Sequence, residues 1–200
     1  VVSRTIGGVT KRYIEYITKG LSDTATDTKQ ATFLDSMLTY DGSPVTTVSN
    51  LQHLNGQTVD ILVDGAVHTS QVVANGSVSL SSSGSVVQVG LNFNSTLETL
   101  DIEAGSPDGT AQGKLKTFPK LIFRIFKTVG FDSGWNNNLF KESFRKNGDK
   151  MGEAVPLFTG DKSVDFPLSD YENGCIIIKQ QQPLPLTLIA IMPQLTVNKA

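Results

Sequence analysis

"FPKLIFRIFKTVGF", residues 118–131, decides the fold class. Its apolar side chains follow a period of two, with Leu121, Phe123 and Ile125 on one side and Ile122, Arg124 and Phe126 on the other. A helix would repeat them every three or four positions, so the stretch reads as a strand. Apolar residues on both sides imply that both faces are buried, and Arg124 among them needs a partner.

Working outward, the same two-residue period recurs on either flank. Toward the C-terminus, "GDKSVDFPLSD" (160–170) reads as a turn, a strand and an exit. "CIIIKQQQPLPLTLIAIMP" (175–193) reads as two strands with Gln181, Gln182 and Pro183 near the bend. Pro185 marks an edge or a bulge, because proline brings no N–H to a ladder. Toward the N-terminus, "EAGSPDGTAQGK" (103–114) clusters Gly, Ser, Pro and Asp without a period and is a linker. Before it, residues 45–103 have a composition of their own, rich in Val, Ser, Thr and Gly and poor in charge. "TVDILVDG", "AVHTSQVVANG", "SVSLSSSG" and "SVVQVGLNF" are its strands, with Gly or Asn-Gly closing them at short spacing, and alternate valines suit the inside of a small barrel or sandwich.

The first 44 residues hold two further elements. "VVSRTIGGVTKRYIEYI" (1–17) is a pair of β-prone runs about Gly7-Gly8, a two-residue hairpin loop. In its second arm Lys11, Tyr13 and Glu15 alternate with Arg12, Ile14 and Tyr16, a mixture that fits a strand touched on both sides. Residues 18–30 are polar and aperiodic, a loop. "FLDSMLTYDGSP" (33–44) reads as a strand ended by an Asp41-Gly42 turn; a helix over 28–38 is the other reading. The expected fold is therefore all-β: a β-sandwich built from the flanking segments 1–44 and 104–200, with a small β-barrel, 45–103, inserted between them.

Two hundred residues bury enough core to fold without a disulfide or a metal. The single cysteine, Cys175, makes no internal bridge and reads as an inert buried thiol. A net charge of −2 predicts no nucleic-acid surface. No apolar run approaches the ~18 residues of a membrane helix, so no membrane anchor is expected, and the N-terminus lacks the basic-then-apolar order of a secretion signal. A first residue of Val1 points to a fragment or a processed product.

No set of residues reads as a catalytic, cofactor-binding or metal site. The only histidines are His53 and His68, and no Gly-x-Ser-x-Gly elbow is present. On one strand Asp64 and His68 lie about 13 Å apart, and Asp35 and Asp41 about 20 Å apart, too far for a glycosidase pair. "GTAQGKL" (109–115) fails the phosphate-loop pattern in its spacing and after its lysine. Asn75 and Asn94 fit the glycan-acceptor pattern, which has meaning only after secretion. Lys114, Lys116, Lys120, Arg124 and Lys127, interleaved with Phe118, Phe123 and Phe126, are either a basic aromatic face for nucleic acid or a strand edge guarded by lysines; the charge balance favours the edge.

Six segments, in order, resemble the tail nozzle or hub protein of short-tailed bacteriophages and prophages, also described as a tail tubular or DNA-stabilising protein. They are "RTIGGVTKRYIEY", "FLDSMLTYDGSP", "LQHLNGQTVDILVDGAVHTSQVV", "VQVGLNFNSTLETLDIE" leading into "GTAQGK", "VPLFTGDKSVDFP" and "QPLPLTLIAIMP". The likeness is to a C-terminal portion of such proteins, and the 45–103 module is similar to a small barrel seen in ubiquitin-activating enzymes, in shape only. The resemblance implies no catalytic residues. It implies a ring of identical subunits, usually six, at the distal end of the tail. Other tail proteins are its partners, and the genome passes through without sequence recognition. The protein is then made in the host cytoplasm and found in the virion.

Head-to-tail contacts of a ring suit strands that are apolar on both sides, so Leu121, Phe123, Phe126, Leu188 and Ile191 are the side chains expected at subunit contacts. In this setting Asp35 and Asp41 are expected to hold backbone groups where the chain enters the barrel. The rival reading is a module that binds a bacterial surface glycan or receptor, with Phe131, Trp135 and Phe140 of "GFDSGWNNNLF" (130–140) as its stacking platform.

Overall fold

The computed structural model describes residues 1–6, 8–103, 109–135, 138–165 and 175–197. Among them are thirteen β-strands, one short 3-10 turn and no α-helix, and every ladder is antiparallel. The protein is all-β. It forms two compact units. The first comprises Val1–Phe93, Arg145–Leu157 and Gln182–Pro185; the second comprises Asn94–Phe144, Phe158–Gln181 and Leu186–Ala200.

The first unit opens with the expected hairpin of β1 (Val2–Ile6) and β2 (Val9–Tyr13). Ile6 pairs with Val9, which leaves a two-residue loop, and Gly8 takes the positive φ of 79° that such a loop needs. Gly7 lies outside the described residues. The second arm stops at Tyr13, and four of the five residues of β2 are exposed, so the expected contact on both sides is not made within the unit.

The other sheet of this unit has the order β3-β6-β4-β5, from β3 (Asp35–Val48), β4 (Thr58–Val63), β5 (Ala66–Val72) and β6 (Val78–Leu91). Its two sharpest turns are Asp64-Gly65, φ 48° and 82°, and Asn75-Gly76, φ 52° and 69°. Positive φ at both central residues matches the right-handed twist of the flanking strands, which is why Asp-Gly and Asn-Gly stand there. Asn75 is thus a turn residue. The Asp64 carboxylate accepts from the N–H groups of Ser85 and Val86 and ties the first turn to β6.

Among the described residues no ladder joins β3 to β5, and the sheet curls. β4 pairs with the second half of β6, while side chains of β5 reach its first half: Gln71 Nε2 donates to Ser79 O at 2.6 Å, and Ser81 N donates to His68 Nε2 at 3.0 Å. Inside the curl lie Val48, Leu51, Leu54, Val59, Ile61 and Val89, all buried.

Two expectations for this region change, and of the two readings of 28–44 the strand is the one that forms. "DGSP" is not a turn: β3 runs through it, and four steps from Asp41 to Val45 match two on β6 from Val86 to Gly84, so the extra residues bulge out. The Tyr40 hydroxyl donates to Ser43 O at 2.7 Å and holds the bulge. No helix forms over 28–38; Thr28 is buried and its hydroxyl donates to Gly65 O at 2.9 Å. The division between units also differs from the expected 45–103 insertion. β3 begins at Asp35 and pairs along β6, so 1–44 belongs with 45–93, and the chain leaves at Asn94.

The second unit is a β-sandwich. Its strands are β7 (Ser95–Glu98), β8 (Lys116–Thr128), β9 (Phe131–Trp135), β10 (Asn138–Glu142), β11 (Phe158–Asp165), β12 (Ile177–Gln180) and β13 (Leu188–Val197). One sheet has the order β10-β9-β12-β7 and the other β11-β8-β13. Phe118, Leu121, Phe123 and Ile125 of β8 meet Phe131, Ile176 and Ile178 of the facing sheet in one core. The rings of Phe123 and Phe131 cross edge to face at 5.2 Å between centroids.

Only one face of β8 is buried, against the expectation of two. Ile122 is half-buried, and Arg124 and Phe126 are exposed, because β8 is the middle strand of its sheet and none of the described residues of the unit stacks on its other side. Arg124 has its partner: Asp161, directly opposite on β11, accepts from Nε at 2.8 Å and from Nη2 at 2.9 Å. These donated bonds hold the Asp161 carboxyl below the usual carboxylate range, but the pair stands in solvent and adds little to stability.

Pro119 sits in this central strand without breaking it: among the described residues β11 pairs up to Lys120, and β13 bulges between Gln194 and Thr196. The expected turn in "GDKSVDFPLSD" is a bulge inside β11 at Gly160, and its exit, 166–170, lies outside the described residues. The two strands read in 175–193 are β12 and β13, which belong to opposite sheets, with Pro185 between them. Of the linker, 104–108 lies outside the described residues; Glu103 clasps its far end by accepting from Ala111 N at 2.7 Å and Thr110 Oγ1 at 2.8 Å.

Candidate functional site

The acids of "FLDSMLTYDGSP" form no site. Asp35 and Asp41 are exposed on β3, and neither holds a backbone group among the described residues; Asp64 performs that role instead. His53 Nε2 lies 2.8 Å from Ser36 O, and its ring meets Tyr13 edge-on. No group of three or more His, Cys, Asp or Glu side chains gathers in metal-binding geometry among the described residues. The basic aromatic face does not exist as a face: Lys116, Phe118 and Phe123 are buried while Arg124 and Phe126 point outward.

The side chains expected at subunit contacts separate into two classes. Leu121 and Phe123 have no exposed surface and belong to the core of their own unit, so they are not available to a neighbour. Leu188 and Ile191 on β13 are half-buried against the same core, and Phe126 alone is substantially exposed. The physical reason is the pleat. The side chains expected at contacts on β8 come from both alternating sets, Leu121 and Phe123 from the core-facing one and Phe126 from the outward one, and period alone does not say which set is which.

The expected stacking platform also divides. Phe131 is buried in the core. Trp135 and Phe140 come together on the β9–β10 hairpin, rings 5.6 Å apart and 31° from parallel, with Trp135 half-buried against the core and Phe140 45% exposed. The register that pairs Trp135 with Asn138 produces this contact. Asn136 and Asn137 at the hairpin tip lie outside the described residues.

Two titratable groups in this unit are perturbed. Glu142 on β10 is almost fully buried and accepts from Ser133 Oγ at 2.9 Å. Burial raises its carboxyl above the ordinary value of 4.5, with Asp132 adding to the rise, against the pull of Ser133 and Lys162. A raised folded pKa favours folding while the group is protonated, and that advantage is lost as pH climbs above about 4.5 through the folded value. Glu142→Gln keeps an acceptor for Ser133 and removes the charge, so its stability relative to the parent is expected to improve between acid and neutral pH. Denaturant unfolding at several pH values checks this; a constant difference contradicts it. Cys175 is half-buried, and burial followed by the nearby Glu98 and Asp101 raises its thiol pKa, which suits an inert residue.

One feature escaped the sequence reading. Large apolar side chains stand in solvent along two stretches: Ile14, Tyr16 and Ile17 after β2, and Phe93, Leu97 and Leu100 around β7. The mixed faces of 11–17 were the available signal, but they point equally to a buried strand.

Scanned against models of known families the chain matches none, and a search of curated proteins gives no significant match.

Proposed function

We propose that this chain is part of a structural virion protein, the nozzle or hub of a short-tailed phage. Six copies form a ring at the distal end of the tail, between other tail proteins, and retain and then release the genome without reading its sequence. The observation that carries the reading within the molecule is the solvent-facing apolar residues of two stretches, 14–17 beyond the end of β2 and 93–100 about β7. A chain that works alone gains nothing by leaving Ile14, Tyr16 and Ile17 wet, whereas a subunit of a ring covers them with its neighbour. The ordered resemblance of six segments supplies the identity of the ring.

Electron microscopy of purified particles tests it. Density for this chain is expected as a closed ring at the tail tip, and its absence from particles overturns the reading. The second reading, a glycan-binding module, is favoured by the Trp135–Phe140 pair, since two adjoining rings of which Phe140 is 45% exposed suit a sugar. Under that reading Phe140→Ala abolishes glycan binding and leaves assembly unchanged.

A further inference from the structure

The two exposed apolar stretches differ in charge. The first, 1–17, carries Arg4, Lys11 and Arg12 against the single acid Glu15, which Arg4 already pairs, so Lys11 and Arg12 are its excess charge. The second, 93–103, carries Glu98, Asp101 and Glu103 and no base. Their backbones are complementary as well. β1 and β2 form a ribbon of two five-residue strands, with no third strand on either edge among the described residues, and such a ribbon is marginally stable in water without a partner. Among the described residues β7 ends its sheet and all four of its residues are exposed; it carries the charge of Glu98 but no lysine, proline or bulge.

The tail of the hairpin is also held in a fixed attitude. Glu15 accepts from Arg4 Nη2 at 2.9 Å and from Ser36 Oγ at 2.6 Å, which anchors one side of the tail and leaves Ile14 and Tyr16, its neighbours, facing out. Ile17 beyond them is fully exposed, and Leu100 past β7 is 90% exposed.

We infer that the hairpin and its tail, 1–17, seat on the free edge of β7 and the apolar residues about Leu100 of a second copy of this chain. Both halves of the contact lie on one chain, so the junction is head to tail and repeats from copy to copy. Ile14 and Ile17 cover Leu97 and Leu100, and Lys11 and Arg12 face Glu98 and Asp101. The inference rests on the assembly part of the proposed function and not on the tail.

The test uses Ile17→Asp and Leu100→Asp, both at positions so exposed that neither should alter the melting temperature. The mass of the chain, measured by sedimentation from micromolar to millimolar concentration, is expected to grow with concentration and to grow less at high salt. Each variant is expected to associate about a hundredfold more weakly, since the contact would bury an unpaired carboxylate. A mixture of the two variants retains one intact junction, formed by the hairpin of the Leu100→Asp copy and the edge of the Ile17→Asp copy, and is expected to stop at the mass of two chains. A single-chain mass at every concentration, association unchanged in both variants, or a mixture that stays single-chain each overturns the inference. Complementation in the mixture with the chain absent from particles overturns the tail reading alone; a ring in particles that tolerates both variants overturns this contact alone.

Discussion

Phe123→Ala is expected to destabilise the second unit by about 3–5 kcal/mol, the cost of emptying a closed aromatic site. Phe123 has no exposed surface and crosses Phe131 at the centre of the sandwich, so its loss leaves a cavity between two sheets whose spacing is set by many other contacts and which cannot collapse to fill it. Trp135 is the only tryptophan and packs against this core, so its fluorescence reports unfolding of this unit in denaturant. Phe126→Ala, three positions along the same strand and 40% exposed, is the control, expected within about 0.5 kcal/mol of the parent. Equal losses for the two would show that β8 is buried on both faces after all, as its sequence suggested.

Gly65→Ala is expected to cost the first unit about 2–4 kcal/mol, from two causes that add. At φ 82° a side chain strains the backbone, and a Cβ there would stand 2.8 Å from the Thr28 carbonyl carbon and 2.9 Å from Lys29 N. Those are main-chain atoms of the segment that Thr28 pins against the turn, so they have little room to retreat. Gly56→Ala separates the causes: its φ is 79° but no atom lies within 4 Å of its Cβ, so only the backbone strain remains, about 1 kcal/mol. Calorimetric melting of the two variants is the measurement, and equal shifts would remove the close approach to Thr28 from the account.

The legible parts of this fold are those in which neighbouring residues carry the information. The period of two in 118–131, the glycine pair of the first hairpin, and the Asp64-Gly65 and Asn75-Gly76 turns are local facts, and strands and turns form where they were expected. Asp41-Gly42 carries the same dipeptide as Asp64-Gly65 and makes a bulge instead. Its strand has β6 to pair with on both sides of the dipeptide, and the ladder bonds gained by continuing outweigh the turn. The reading of 1–44 as part of the sandwich failed for the same reason, since it depended on which strand residues 35–41 would find across 44 intervening residues and more, and composition does not record pairing.

The candidate surfaces show the same limit more sharply. Period two sorts Leu121, Phe123 and Ile125 from Ile122, Arg124 and Phe126, but which set faces the core depends on what stacks on each side of the sheet. Phe131 and Phe140 are alike in sequence, yet the first begins β9 under the facing sheet and the second lies on β10 beside Trp135, turned to solvent. Cys175 was legible as an inert thiol from its apolar neighbours; that Glu98 and Asp101 add to the rise of its pKa was not, because β7 reaches β12 only by long-range pairing.

By itself, then, the sequence determined the class of structure, all-β with tight glycine turns, whereas the thiol it reads as buried is only half-buried. Backbone geometry and side-chain alternation act over a few residues and need no knowledge of the rest of the chain. Tertiary structure alone decided the unit boundary at Asn94, the inward set on β8, the break-up of the expected platform and the exposure of 14–17 and 93–100. Each depends on which distant segments supply the opposite wall, and the free energy of burial belongs to that pair of walls and not to either segment.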